Sequence, residues 1–329
     1  MNISRTTTLG STNTMLNYIA SAEARYYDLM QTASSGKKVA EPSDDPAASK
    51  TILNINTKLS QLSAYTQNMK VAQSELNTLD GALASLTDLI DNANDLATQA
   101  ANGTYNGGDL SNIKTQIDQI LQSVLDISNT NYSGKFIFSG SAVGTQTYTT
   151  TKDVDGNITG IDYQGSDTTT DAYKRYVTIS DGVTVSINAN GESVFGSYTA
   201  AVEDDPATVG IDESQPEVAT GLVGTLMQLS NALGANDKVA VKATLDKFDT
   251  CLDTVSAVRT KFASVASRFD ITQDSINTTV TNLKSYRSSL QDADLAEVAT
   301  NLAAQEVAMQ ATYAATSKLL SGQTLLDYI

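Results

Sequence analysis

From Ile52 to Ala100 the apolar residues of this 329-residue chain recur at alternating steps of three and four. The row reads Ile52, Ile55, Leu59, Leu62, then Met69, Ala72, Leu76, Leu79, Leu83, Leu86, Ile90, Ala93, Ala97 and Ala100. Steps averaging 3.5 residues keep a narrow stripe on one side of an α-helix, the pattern of a helix packed lengthwise against another. Thr66 fills the one skipped place, and the two successive threes through Met69 and Ala72 predict local overwinding. Asp45 and Pro46 mark the start, as N-cap and first helical residue. About 55 residues at 1.5 Å each predict a helix roughly 80 Å long, ending at Asn102-Gly103-Thr104. Past Gly107-Gly108, Leu110, Ile113, Ile117, Ile120, Val124 and Ile127 form a second stripe, expected to fold back antiparallel.

The C-terminal half carries a matching row: Val241, Leu245, Phe248, Leu252, Val255, Arg259, Phe262, Ala266, Phe269, Gln273, Ile276, Val280 and Leu283. Two long stripes in opposite halves of a chain are natural partners. Arg259 and Gln273, polar in an apolar row, read as register-setting residues. Thinner rows lie at the two ends. One is Leu9, Thr12, Leu16, Ile19, Glu23, Tyr26, Met30 and Ala33, closed by Gly36 as C-cap. The other is Leu295, Val298, Leu302, Gln305, Met309, Thr312, Thr316, Leu319, Gln323 and Leu326. Each has polar residues where a self-sufficient core would have Leu or Val, so each needs partners to bury its stripe.

Between Phe136 and about Tyr198 the helical period disappears. Short β-prone runs replace it: 136–138, 147–149, 158–163, 176–179 and 183–187. Asp155-Gly156-Asn157, Asp181-Gly182 and Asn190-Gly191 punctuate them, and an acidic connector runs from Glu203 to Pro216. The expected fold is mainly α with an inserted β domain, a long antiparallel coiled-coil-like helical rod built from the N- and C-terminal halves. Residues 1–35 and 288–329 form terminal helices, 36–139 and 215–287 the rod, and 140–214 the insert.

Composition removes most chemistry. The chain has no His, so it offers no Ser–His or Cys–His nucleophile pair and no His-ligated zinc. Cys251 is the only thiol, which forbids an intrachain disulfide, and because its neighbour Leu252 falls on the apolar stripe it is expected at the flank of that stripe. A net charge of −16 opposes binding to nucleic acid and to anionic membrane surfaces. No run of residues has the length and apolarity of a membrane span or a signal peptide, so composition alone reads as soluble and cytoplasmic. Asp153 to Asn157 faintly resembles a calcium loop, but Gln164 stands where the distal carboxylate belongs, and a hairpin turn is the plainer reading. Asp44-Asp45 reads as capping and Asp204-Asp205 as solvated loop charge. No catalytic residue, metal site or cofactor is expected.

Several motifs then coincide. Ser34-Ser35-Gly36-Lys37-Lys38-Val39 followed by Pro42-Ser43-Asp44-Asp45-Pro46 resembles the N-terminal motif of the flagellin superfamily. The two prolines fit its hook-associated branch. Ala101 to Thr104, Gly134 to Gly140, Ser289 to Ala296, the helix from Leu302 to Thr316 and the close at Leu325-Leu326-Asp327-Tyr328-Ile329 are similar to that branch also. Lys38 stands where Arg is frequent, and Ala40-Glu41 replaces a commoner Asn-Arg pair.

The resemblance implies a structural subunit of the bacterial flagellum, placed outside the cell between hook-associated protein 1 and flagellin in a ring of its own copies. It implies passage through the flagellar type III export channel without a cleaved signal peptide, overriding the cytoplasmic reading, and a chaperone on the C-terminal region beforehand. It implies an assembly interface at Leu9, Leu16, Ile19, Tyr26, Leu290, Leu295, Leu302, Met309, Leu319 and Leu326, with Gly36, Pro42, Ser43, Asp44, Asp45 and Pro46 as the family-motif loop. A flagellin filament subunit is one alternative, and a secreted adhesin using the β insert is another. Limited proteolysis of the lone monomer is expected to trim roughly the first 35 and last 40 residues, as thin stripes leave chain ends open to cleavage. Full-length resistance would oppose this reading.

Overall fold

The computed structural model describes residues 3–102, 105–152, 158–166, 173–199 and 218–320. In chain order the helices are α1 (Ile3–Ser35), α2 (Pro46–Ala101), α3 (Gly107–Ser128), α4 (Gly191–Phe195), α5 (Gly221–Gly234), α6 (Lys238–Gln291) and α7 (Leu295–Leu320). The strands are β1 (Asn131–Tyr132), β2 (Lys135–Phe136), β3 (Tyr148–Lys152), β4 (Ile158–Tyr163), β5 (Tyr176–Ser180), β6 (Val183–Ser186), β7 (Tyr198–Thr199) and β8 (Val218–Ala219). The fold is mainly α with a small β insert, as the periodicities require. Two compact units emerge, one of Met1–Leu62 with Asn277–Ile329, the other Ser63–Ile276.

In the first unit α1 and α7 pack side by side, and the start of α2 is built as its sequence demands. The Asp45 carboxylate accepts the Ala47 and Ala48 amides at 2.9 Å each, satisfying donors that a helix leaves open at its N-terminus. Ile52, Ile55 and Leu62 are buried, and Arg287 on α6 donates to the Asn56 side chain at 2.9 Å.

The second unit holds the rest of the long stripe. On α2 every apolar position from Met69 to Ala100 in the row is buried, with Leu83, Leu86, Ala93, Ala97 and Ala100 wholly inaccessible. On α6 Val241, Phe248, Val255, Phe262, Phe269 and Ile276 are buried. Arg259 bonds Asp80 at 3.0 Å, and Gln273 donates to Thr66 at 3.2 Å. The two polar interruptions of α6 therefore meet α2 at positions that descend along it as α6 advances, the register of an antiparallel pair. On α3 the buried row is Leu110, Ile113, Ile117, Leu121, Val124 and Leu125. Ile120 and Ile127, expected in that row, are only half-buried. The row widens because α3 also packs on α5.

Helix α5 has no counterpart among the sequence expectations. Leu222, Val223, Leu226, Met227, Leu229 and Leu233 are all buried, while Gln228 is half-buried and Asn231 is exposed. Its buried face is wide and takes in Gly224, Thr225 and Ser230 beside the apolar residues, so no narrow three-and-four row marks it in the sequence.

Strands of the insert join β8, just past its expected end at residue 214, in a four-stranded antiparallel sheet of order β3-β4-β7-β8, and β5–β6 form a separate hairpin. Asp181-Gly182 makes the hairpin turn, Gly182 taking φ +66°. Asn190 instead caps α4, its side-chain oxygen accepting the Glu192 amide at 3.0 Å. Of the run 136–138 only Phe136 is a strand residue; Phe138 is wholly buried edge-to-face against Phe195, 4.9 Å between centroids. Gly196, at φ +74°, crosses Thr220 so closely that a Cβ would stand 1.9 Å from its carbonyl oxygen, so no other residue fits. Asp153 to Asn157 and Asp204-Asp205 lie outside the described residues. Leu226→Ala is expected to cost about 2–5 kcal/mol, the range for an emptied core leucine, read as a lower denaturation midpoint in urea.

Candidate assembly surface

The feature that separates the terminal helices from the rest is how little they bury. On α7 the row turned inward is Val298, Leu302, Gln305, Met309, Thr312 and Thr316, as expected from sequence. On α1 it is Met15, Ile19, Ala22, Tyr26, Leu29 and Thr32, with Glu23 at its edge. Among the described side chains of both helices, only Val298 and Thr316 are fully buried. Gln305 donates to the Ala22 carbonyl at 3.0 Å, and the Tyr313 hydroxyl donates to the Glu23 carboxylate at 2.6 Å. That bond, first among the causes, raises the Tyr313 pKa from its ordinary value. With Ala293 bonded to Gly36 beyond the helix ends, these contacts set the pair antiparallel.

The expected interface residues divide accordingly. Ile19, Tyr26, Leu302 and Met309 are half-buried, as is Leu290 near the end of α6. Leu16 and Leu295 are exposed, at 53% and 56%. Leu326 lies outside the described residues, and the side chains of Leu9 and Leu319 are not among those described. Met30, taken from sequence as part of the inward row, is 46% exposed because Leu29 holds the inward place. Leu16, Tyr27 and Met30 form a second stripe on α1, turned by about a quarter of a circle at 100° per residue. Tyr27 and Val307, 68% and 66% exposed, were absent from the sequence reading of the interface. Their signal was apolarity without a place in the chosen row. A groove of about 610 Å³ follows the pair, lined by Arg25, Asp28 and Leu29 of α1 and Asn301, Ala304 and Ala308 of α7.

The family-motif loop closes this unit at its base. Gly36, at φ +67°, ends α1 and donates its amide to the Thr32 carbonyl at 2.9 Å. Lys37 pairs with Asp292 in an antiparallel bridge, the Lys38 amide donates to the Gln291 carbonyl at 2.8 Å, and the Ala293 amide to the Gly36 carbonyl at 2.9 Å. The Lys38 ammonium reaches the Ser289 carbonyl at 2.8 Å. Pro42 and Ser43 occupy the centre of a turn that Asp44 closes onto the Glu41 carbonyl. The Asp44 carboxylate accepts the Ala40 and Glu41 amides, so of the adjacent acids one caps a helix and the other a loop. Thus the two motif segments, 36–46 and 289–296, are laced together although about 250 residues separate them.

A helical pair with its apolar faces open, tied at its base to longer helices, is the build of a structural protein. The comparisons agree. Residues 7–143 match the N-terminal helical region of bacterial flagellin and residues 245–329 its C-terminal helical region. The chain belongs to the flagellin family, whose members are structural proteins of the flagellum. It is 25% identical over 305 residues to flagellar hook-associated protein 3 of Salmonella typhimurium, covering 90% of each chain. It is 24% identical over 304 residues to the protein of the same name from Escherichia coli, covering 90% of this chain and 91% of that one. Its fold resembles the solved hook-associated protein 3 of Legionella pneumophila, with a TM-score of 0.57 at 16% identity over 73% of this chain and 98% of that one.

Groups outside this surface are built into the core. Cys251 is buried beside Thr225, with sulfur and hydroxyl oxygen 4.0 Å apart, and burial pushes its thiol pKa up against a smaller lowering by that contact. Tyr163 is pushed up to about 12, first by burial and then by Glu192. Among the described residues no group of three or more His, Cys, Asp or Glu could hold a metal ion. Because the thiolate is the reactive form and its pKa is raised, Cys251 is expected to react with iodoacetamide at neutral pH at least about 100-fold more slowly in the native protein than in guanidinium, with the native rate climbing only in alkali. A native rate equal to the unfolded one would contradict the burial.

Proposed function

We propose that this chain is the adaptor of the hook–filament junction, a ring of copies seated between hook-associated protein 1 and the first flagellin subunits. The observation that carries the reading is the near-absence of buried side chains among the described residues of α1 and α7, beside exposed Leu16, Tyr27, Met30, Leu295 and Val307. Fully burying one such aliphatic or aromatic side chain stabilises by about 1.5–3 kcal/mol, so neighbours that cover these stripes supply what the lone pair lacks. The work is structural and needs no catalytic group. The proposed site is extracellular, reached through the flagellar export channel without a cleaved signal peptide. Among the described residues no helix is long and apolar enough to cross a membrane. A chaperone that covers the C-terminal region before export would screen the same stripe on α7. The nomination of Leu9, Leu16, Ile19, Tyr26, Leu290, Leu295, Leu302, Met309, Leu319 and Leu326 as interface residues is part of this proposal, with Tyr27, Met30 and Val307 added.

Deleting the gene should leave hooks intact while flagellin is exported but fails to polymerise. Tyr27→Asp with Val307→Asp should give the same phenotype. Both side chains are already in water, so the unfolding free energy of the purified monomer should stay within about 0.5 kcal/mol of the parent. Normal filaments on cells carrying the double variant would overturn the assigned surface. Long filaments grown from the purified parent protein alone would favour a filament subunit instead.

A further inference from the structure

Among the described residues Glu75 is the only acidic or basic residue that is buried, at 7% exposure. It lies on α2, and its partner arrives a hundred residues later: the Arg175 guanidinium, just before β5, bonds the Glu75 carboxylate through Nη2. The Arg175 backbone is itself held. Asn188, 2% exposed, accepts the Arg175 amide at 2.6 Å and donates to the Tyr173 carbonyl at 2.7 Å, tying the two feet of the β5–β6 hairpin together. That hairpin pairs with no other strand among the described residues, and a two-stranded hairpin is marginal by itself in water. Ile179 and Val185 give it a buried apolar side, but apolar burial is non-directional and does not select one seating. Asn68 adds only a weak bond to the Thr178 carbonyl at 3.5 Å. A directional contact from a fixed base to a buried carboxylate does select one, since removing either partner strands the other's charge away from water.

We infer that the Glu75–Arg175 pair is a latch that seats the β5–β6 hairpin in one position on α2, so that this part of the insert moves with the helix instead of as a free module. The test is hydrogen–deuterium exchange on the full-length protein, comparing amides 176–186 with those of α5. Glu75→Gln and Arg175→Met should each raise exchange in the hairpin at least about tenfold while α5 stays unchanged. The double variant Glu75→Met/Arg175→Met, which strands no charge, should leave the hairpin equally loose, and the swap Glu75→Arg/Arg175→Glu should restore part of its protection. Should a single variant fail to fold, the double variant carries the same comparison. Unchanged hairpin exchange in the variants, parent-like protection in the double variant, or an equal rise in α5 would each overturn the latch.

Discussion

A single-file apolar seam is the constraint on which the rest of this molecule depends. Each turn of α2 and α6 contributes about one inward residue, so the seam has no width to spare and each step must be met by its partner. Ala93, Ala97 and Ala100 are wholly inaccessible, so even the small side chains of the row are covered. Polar residues at Arg259 and Gln273 do not break the seam, because each finds a partner on α2 while keeping access to water. Such pairs contribute little stability, but they distinguish the native register from one shifted by a heptad, which apolar contact alone would tolerate.

The terminal pair follows the same plan with weaker material. Ordering a residue costs about 1–2 kcal/mol of backbone entropy, and of the described side chains of α1 and α7 only Val298 and Thr316 are fully buried in return. Their definite contacts are polar: Gln305 to a backbone carbonyl, Tyr313 to Glu23, and the laced loops at the base. These fix which faces point outward without making the pair self-sufficient. That balance suits the proposed role, in which stability arrives with the neighbouring subunit and not before it.

The insert is held by different physics. Its aromatic residues pack edge-to-face, the buried Tyr148 hydroxyl donates to the Gly196 carbonyl at 2.7 Å, and a glycine crossing lets two backbones touch. These contacts join residues 24 to 57 positions apart, so the β module is closed by its own chain and not by the long apolar seam. An adhesin-like role would place the working residues here. The exposed apolar stripes of the terminal helices instead direct attention to assembly.

The helices were legible in the sequence because a 3.5-residue repeat admits one reading, and because Asp45-Pro46, Gly36 and Asp181-Gly182 have local conformational reasons to be where they are. The candidate surface was legible only in outline. On α1 the rows beginning at Met15 and Leu16 lie one residue apart and are both apolar, and the position of α7 decides which is covered. Helix α5 escaped notice because its buried face is wide and includes polar Thr225 and Ser230, so no narrow apolar row marks it. The lacing of 36–39 to 291–293 and the Glu75–Arg175 pair join residues about 250 and a hundred positions apart. Periodicity and capping are properties of neighbouring residues, so the sequence determined them alone. Choosing between equivalent faces, and bringing distant polar groups together, required the chain to be folded.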